Sequence, residues 1–157
     1  MRFVLISLIF ILFASCKSTP MAPSKDQVFA FRLKPGEDLK AGIEKVVAEN
    51  KISAGWVATC VGSLTDYTIR FANQPEASRG SGHFEIVSLT GTCSTNGSHL
   101  HISISDSTGA TIGGHLMPGC KVYTTAEIVL QATDRFTFTR ENDGSTPWKE
   151  LQVKKND

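Results

Sequence analysis

Residues 97–122 read GSHLHISISDSTGATIGGHLMPGCKV, and this stretch holds three of the four histidines of the chain. Apolar and polar residues alternate over 97–106, which predicts a β-strand. Residues 106–109 are typical of a turn, and a second strand is predicted over 111–116. The stretch therefore predicts two strands that both carry histidine side chains.

Side-chain alternation divides the first strand into two faces. The face toward the core takes the aliphatic residues Leu100, Ile102 and Ile104. The outer face takes the polar residues His99, His101, Ser103 and Ser105. Two imidazoles at positions i and i+2 of one face lie close enough to bind the same ion.

A third ligand can come from His115 if the turn folds the next strand back. Gly113-Gly114, directly before it, allow a bend or a close backbone approach that re-aims the side chain. Three histidines without a carboxylate suit zinc or another divalent transition metal with an open fourth position. The alternative is a group of exposed histidines without a ligand. His83, at the start of another strand, is predicted to be a surface residue.

Two carboxylates are candidate catalytic groups. Glu85 and Glu127 stand in the otherwise apolar runs 84–87 and 126–129. Each is either a proton acceptor beside the histidines or part of a solvated strand face.

Outside this region the sequence predicts one helix and about seven strands. Apolar residues at helical spacing place the helix at 37–50, with Glu37 and Asp38 in its first turn. Strands are predicted over 27–33, over 53–64 with a continuation at 67–72, and over 83–93, 122–132 and 136–140, in addition to the two strands with histidines. Residues 73–82 are predicted as a loop, and a turn at 142–144 precedes a polar tail. Because strands do not alternate with helices, the fold class is α+β.

The first residues have the pattern of a targeting segment. Arg2 precedes an apolar run over 3–14 that is too short to span a bilayer, which predicts a signal peptide at 1–15. Small residues before Cys16 resemble a bacterial lipobox, in which Cys16 is lipidated, although Phe13 replaces the more usual leucine. Residues 16–26 are predicted as a flexible tether, 27–153 as the domain and 154–157 as a tail. The chain would then be exported and anchored in a bacterial membrane of the cell envelope. The alternative is a secreted or periplasmic protein in which Cys16 is incidental.

Composition limits the other function classes. The 157 residues, 41% of them hydrophobic, suffice for one core, and 16 basic and 15 acidic residues are interspersed. A net charge of +1 without a basic patch gives no support to nucleic-acid binding. Beyond Cys16, Cys60, Cys93 and Cys120 allow at most one disulfide and lack metal-ligand spacing, so they are predicted to be small buried residues.

The ordered motifs of the chain resemble one known family. They are Gly62-Ser63-Leu64, Ile69-Arg70, FEIVSLTGT at 84–92, His99-Leu100-His101, Asp106-Ser107-Thr108-Gly109, Gly113-Gly114-His115-Leu116 and Thr124-Thr125-Ala126-Glu127. This series resembles the PPC domain, a plant- and prokaryote-conserved domain of uncertain function, over roughly 28–153. The domain occurs alone in prokaryotes and joined to AT-hooks in plants.

The resemblance implies a mostly antiparallel sheet, a homotrimer, and a metal ion, zinc above all, held by His99, His101 and His115. It implies no particular reaction. This chain lacks the Arg-Gly-Arg-Pro type of AT-hook, so DNA binding is not carried over.

Two functional hypotheses follow from the sequence. In the first, the protein is a membrane-tethered trimeric module that binds a partner, and the metal stabilises the fold or the subunit interface. In the second, it is a zinc-dependent hydrolase or lyase that acts on a small molecule, with Glu85 or Glu127 moving a proton. An open coordination position would favour the enzyme.

Overall fold

The computed structural model of the protein describes residues 25–157. Its elements are β1 (Asp26–Leu33), α1 (Leu39–Glu49), β2 (Ala54–Arg70), β3 (Ser78–Ser94), β4 (Gly97–Ser105), β5 (Thr111–Leu116), β6 (Lys121–Thr133), β7 (Phe136–Glu141) and β8 (Glu150–Lys155). The predicted signal peptide, the lipidation site Cys16 and nearly all of the tether lie outside the described residues.

Six strands form one antiparallel sheet in the order β1-β6-β2-β3-β4-β5. The end of β2 pairs with β5 as well, through Ile69 with Leu116 and Arg70 with His115. Strands β2 to β5 therefore close into a ring, while β6 and β1 continue from β2 on its other side. A separate hairpin is formed by β7 and β8. The mostly antiparallel α+β fold expected from the sequence is confirmed.

The core lies on the inner face of this sheet, against helix α1. The aliphatic row predicted for β4 is buried, since Leu100 and Ile102 are each 2% exposed and Ile104 is fully buried. Leu39 and Ile43 of α1 are also fully buried. The outer face of β4 is thereby left to its polar side chains.

The helix begins two residues later than the sequence predicts. Asp38 is the N-cap, and its Oδ1 accepts a hydrogen bond from the Ala41 amide at 3.0 Å. Its Oδ2 accepts from the Gly119 amide at 2.7 Å, which ties the start of α1 to the turn before β6. Glu37 precedes the cap, where its carboxylate accepts from the Lys34 amide at 2.5 Å. Both acidic residues serve the helix start, but neither lies in its first turn.

The strands are longer than predicted. The predicted run 53–64 with its continuation over 67–72 forms one strand, β2, which has 17 residues and shifts register between Leu64 and Asp66. Strand β3 begins at Ser78, inside the predicted loop. An eighth strand, β8, occupies much of the predicted polar tail. Local composition does not predict these strand residues, because pairing with a neighbouring strand stabilises them although their own strand propensity is weak.

The β7–β8 hairpin is attached to the sheet at the β3–β4 turn. Asn96 donates from Nδ2 to the Arg140 carbonyl at 3.0 Å and accepts from the Arg140 amide at 2.8 Å. The Phe138 amide donates to the Ser53 carbonyl at 2.9 Å. These contacts hold the hairpin beside the polar face of β4.

The three described cysteines are free and buried, as the sequence predicts. Burial raises the pKa of Cys60 to about 12, and it raises the pKa values of Cys93 and Cys120 to about 11. These thiols stay protonated at neutral pH. Between residues 25 and 157, no helix has the length and apolar character needed to cross a membrane.

Candidate metal centre

Three histidine rings converge on the outer face of β4 and β5. His99 and His101 stand two residues apart on β4, and His115 on β5 is the register partner of His101. The Nε2 atoms of His99 and His101 are 3.1 Å apart. The Nδ1 atom of His115 lies 3.1 Å from Nε2 of His99 and 3.2 Å from Nε2 of His101. The three ring nitrogens thus form a nearly equilateral triangle.

This triangle has the dimensions of a metal site. Zinc bonds to histidine nitrogens at about 2.0–2.1 Å with tetrahedral angles, so its ligand nitrogens lie roughly 3.3 Å apart. Three neutral imidazoles, each with one ring proton, are poor hydrogen-bond partners for one another in such a triangle, whereas a cation satisfies all three lone pairs. Within the described part of the chain, the histidines could therefore hold one metal ion.

The backbone of β5 permits this convergence through Gly114. A Cβ atom at this position would lie 2.5 Å from the Arg70 carbonyl oxygen, closer than a side chain can approach. The absence of a side chain lets β2 pair with β5 and brings His115 beside His101. The close backbone approach predicted for Gly113-Gly114 is thus observed at Gly114.

The electrostatics of the site favour neutral imidazoles. Partial burial lowers the pKa of His99, and the guanidinium of Arg140 adds to this effect. Partial burial lowers the pKa of His115 to about 4, and Arg70 and the other two histidines contribute as well. At neutral pH both rings therefore keep a lone pair for a metal without having to lose a proton.

Several neighbours of the histidines were missed by sequence reasoning. Arg140 of β7 places Nη2 3.3 Å from Nδ1 of His99, and the same atom lies 3.9 Å from the Glu150 carboxylate of β8. Arg70 is the register partner of His115 and stacks on Trp148, 5.2 Å from the ring centroid. The sequence signal for Arg70 was its place in the Ile69-Arg70 motif of a predicted strand, and Arg140 and Trp148 gave none because the hairpin is distant along the chain.

The two predicted catalytic carboxylates are exposed and lie elsewhere on the sheet. Glu85 pairs with Ser105, four residues along β4 from His101, or roughly 13 Å at the usual strand rise. Glu127 on β6 pairs with Arg32 of β1 and Val61 of β2. Neither belongs to the group of side chains that could hold a metal, and the Glu150 carboxylate lies nearer the histidines, 3.9 Å from Nη2 of Arg140.

His83 is exposed and lies outside the histidine group, as predicted. Its ring contacts Tyr123 with a centroid distance of 4.3 Å.

A profile of the Plants and Prokaryotes Conserved (PCC) domain matches residues 21–134. Strands β7 and β8 lie beyond the matched residues. The Bifunctional protein GlmU of Synechococcus sp. (strain JA-2-3B'a(2-13)) is 41% identical over 134 residues, which is 85% of this chain and 21% of that protein. The chain therefore spans about a fifth of the length of the curated relatives it matches.

Solved structures share the fold. A hypothetical protein from Salmonella cholerae-suis (Salmonella enterica) superposes with a TM-score of 0.81 at 38% identity, covering 85% of this chain and 96% of that one. The metal-containing protein AF0104 from Archaeoglobus fulgidus superposes with a TM-score of 0.70 at 24% identity, covering 84% of this chain and 99% of that one.

Proposed function

Because this chain belongs to the Plants and Prokaryotes Conserved domain family and gathers three histidines at one point, we propose that it is an exported, membrane-tethered, trimeric binding module with a metal site. The metal is a divalent transition ion, with zinc as the first choice. The observation that carries the proposal is the triangle of ring nitrogens of His99, His101 and His115, with sides of 3.1, 3.1 and 3.2 Å. A structural neighbour from Archaeoglobus fulgidus is described as metal-containing, which supports a bound metal.

Elemental analysis of the purified full-length chain tests the metal site. We expect about one divalent transition-metal ion per chain in the wild type. Most of this metal should be lost in His99→Ala and His115→Ala, because each variant leaves only two ligands. His83→Ala is the matched control, since His83 is an exposed histidine outside the group. Equal metal content in all four proteins would refute the site.

The membrane tether rests on the N-terminal sequence. An apolar run over 3–14 followed by small residues and Cys16 is typical of lipidated bacterial proteins. Several acyl chains on one cysteine anchor a protein stably, whereas a single chain does not. Metabolic labelling with a fatty-acid analogue should mark the wild type and not Cys16→Ser. Labelling of both, or of neither, would contradict the tether.

The trimer rests on the family resemblance and on an exposed apolar patch. Val61 of β2 and Val87 of β3 are 57% and 58% exposed, and they lie on neighbouring strands of the sheet. A subunit contact would cover this patch. Native mass spectrometry of the full-length chain should show trimers, and Val61→Asp should dissociate them. Val153→Asp is the control and should leave the trimers intact, because Val153 lies on β8 and is likewise 55% exposed. A monomeric wild type would refute the trimer.

A zinc-dependent hydrolase or lyase is the second candidate. The observation in its favour is an open groove of about 640 Å³ directly beside His99 and His115. Zinc held by three histidines can lower the pKa of a bound water. A crystal structure of the metal-loaded protein decides between the two functions. Three histidines with a fourth position open to the groove support the enzyme, and a fourth protein ligand supports the module.

A further inference from the structure

The groove beside the histidines is lined by more cations than anions. Arg70, Arg140 and Lys149 contribute to its wall, and the only carboxylate among the described residues that line it is Glu150. The groove lies between the sheet and the β7–β8 hairpin, with residues 73–75 at its rim. A metal in the triangle of histidines would add two further positive charges at one side.

Arg140 is held in place by several contacts. Only 12% of its side chain is exposed. Nη2 donates to the Lys149 carbonyl at 2.5 Å and lies 3.9 Å from the Glu150 carboxylate, too far for a short bidentate pair. Nη2 also lies 3.3 Å from Nδ1 of His99. The guanidinium is therefore fixed at the wall of the groove, beside the histidines.

Arg70 approaches from the opposite wall. Its Nη1 donates to the Gln74 carbonyl at 3.3 Å, and its guanidinium lies over the Trp148 ring. Among residues 25–157, no carboxylate forms a salt bridge with Arg70. As the register partner of His115, it projects from the same face of the sheet as the metal ligands.

We infer that this groove binds the carboxylate or phosphate group of a small organic anion, held by Arg70 and Arg140 next to the three-histidine site. A planar guanidinium matches the oxygens of both groups, and two guanidinium groups beside a metal create a local positive potential that favours a bound anion. This inference deepens the proposed function, because it names the class of ligand that the module or enzyme receives at its metal site.

Isothermal titration calorimetry of the full-length protein tests the inference with two probes, inorganic phosphate and succinate. Each probe is titrated into zinc-loaded protein whose metal content has been measured. We expect at least one probe to bind, and the preferred one identifies the anionic group. Arg70→Met and Arg140→Met should each weaken binding about tenfold or more, since each removes a charged hydrogen-bond donor. Arg135→Met, which replaces an exposed arginine in the bend between β6 and β7, is the control that should bind as the wild type does.

The outcomes separate this inference from the proposed metal site. If zinc is retained but neither probe binds, or if the arginine variants bind as tightly as the wild type, the anion site is refuted and the metal site stands. If zinc is not retained, the same titrations on metal-free protein still test the arginines, because Arg70→Met and Arg140→Met should still weaken binding. Arg70→Met preserves the hairpin contacts of Arg140, so a folding defect in Arg140→Met does not decide the result.

Discussion

The lowered pKa of His115 makes the folding stability of the protein depend on pH. Its pKa is about 4 in the folded protein against an ordinary value of 6.5, because partial burial and Arg70 disfavour the charged ring. Between these values the unfolded chain takes up a proton at this residue that the folded chain refuses. Folding stability that depends on His115 is therefore present above pH 6.5 and is lost as the pH falls toward 4.

Urea unfolding of the metal-free protein should show this loss. We expect the wild type to lose more stability than His115→Gln between pH 7 and pH 4.5, because the variant has no proton to take up. His83→Gln, which replaces an exposed histidine outside the site, should retain the wild-type pH dependence. Parallel curves for wild type and His115→Gln would show that His115 is not perturbed.

Gly114 is needed where strands β2 and β5 approach each other closely. Gly114→Ala would place a methyl group 2.5 Å from the Arg70 carbonyl oxygen, and backbone cannot yield as a flexible side chain does. We expect a loss of about 1–3 kcal/mol in the free energy of unfolding, with weaker metal binding. In Gly82→Ala the new methyl would meet only the Phe84 ring at 3.2 Å, so the loss should be smaller. Chemical denaturation of both variants compares them directly.

At the scale of elements, the β7–β8 hairpin determines what surrounds the histidines. It delivers Arg140, Trp148 and Glu150 to the groove, although it lies beyond the residues matched to the family. Its attachment depends on the side chain of Asn96, which makes two hydrogen bonds to the Arg140 backbone. The turn residue that closes β3 and β4 therefore also positions the groove.

Asn96→Ala should loosen the hairpin without unfolding the sheet. Loss of two exposed hydrogen bonds should lower the local opening free energy by about 1–2 kcal/mol. Hydrogen exchange of the Phe138 amide, which is bonded to Ser53, should accelerate, while the buried β4 amide of Ile104 stays protected. Asn142→Ala changes a side chain bonded within the β7–β8 loop and serves as control. Unchanged exchange at Phe138 would show that Asn96 does not hold the hairpin.

At the scale of the whole molecule, a metal at β4 and β5 would link two strands that belong to the closed ring. An ion that binds only the folded state stabilises the entire chain by mass action. Because β2 pairs with β3, β5 and β6, this stabilisation should reach most of the sheet.

Thermal unfolding measures this linkage. Zinc at about a hundred times its dissociation constant should stabilise the metal-free wild type by about 2.7 kcal/mol and raise its melting temperature. Most of this gain should disappear in His101→Ala. Magnesium, which prefers oxygen ligands, should have no such effect on the wild type. An equal rise with zinc in the wild type and the variant would place the bound metal elsewhere.

Much of the fold and the candidate ligands could be predicted from residues alone. The α+β class, the strand that bears His99 and His101, and the buried row behind them follow from alternation, which is a local property of a strand. The ordered motifs also led to the correct family, as the match over residues 21–134 confirms. Local sequence patterns are enough to predict whether a side chain is buried or exposed when this depends only on its position in its own strand.

The tertiary structure decided the rest. Whether His115 meets the other histidines depends on the β4–β5 register and on the close approach at Gly114. The placement of Arg70, Arg140 and Glu150 around them depends on strand pairing and hairpin docking between segments far apart in the chain. Sequence placed Glu85 and Glu127 as candidates. The β3–β4 register sets Glu85 four residues along β4 from His101, and the sheet order sets Glu127 on β6, away from β4 and β5. Local backbone geometry determines which face of a strand a side chain occupies, whereas the packing of the whole chain determines which residues become its neighbours across the sheet.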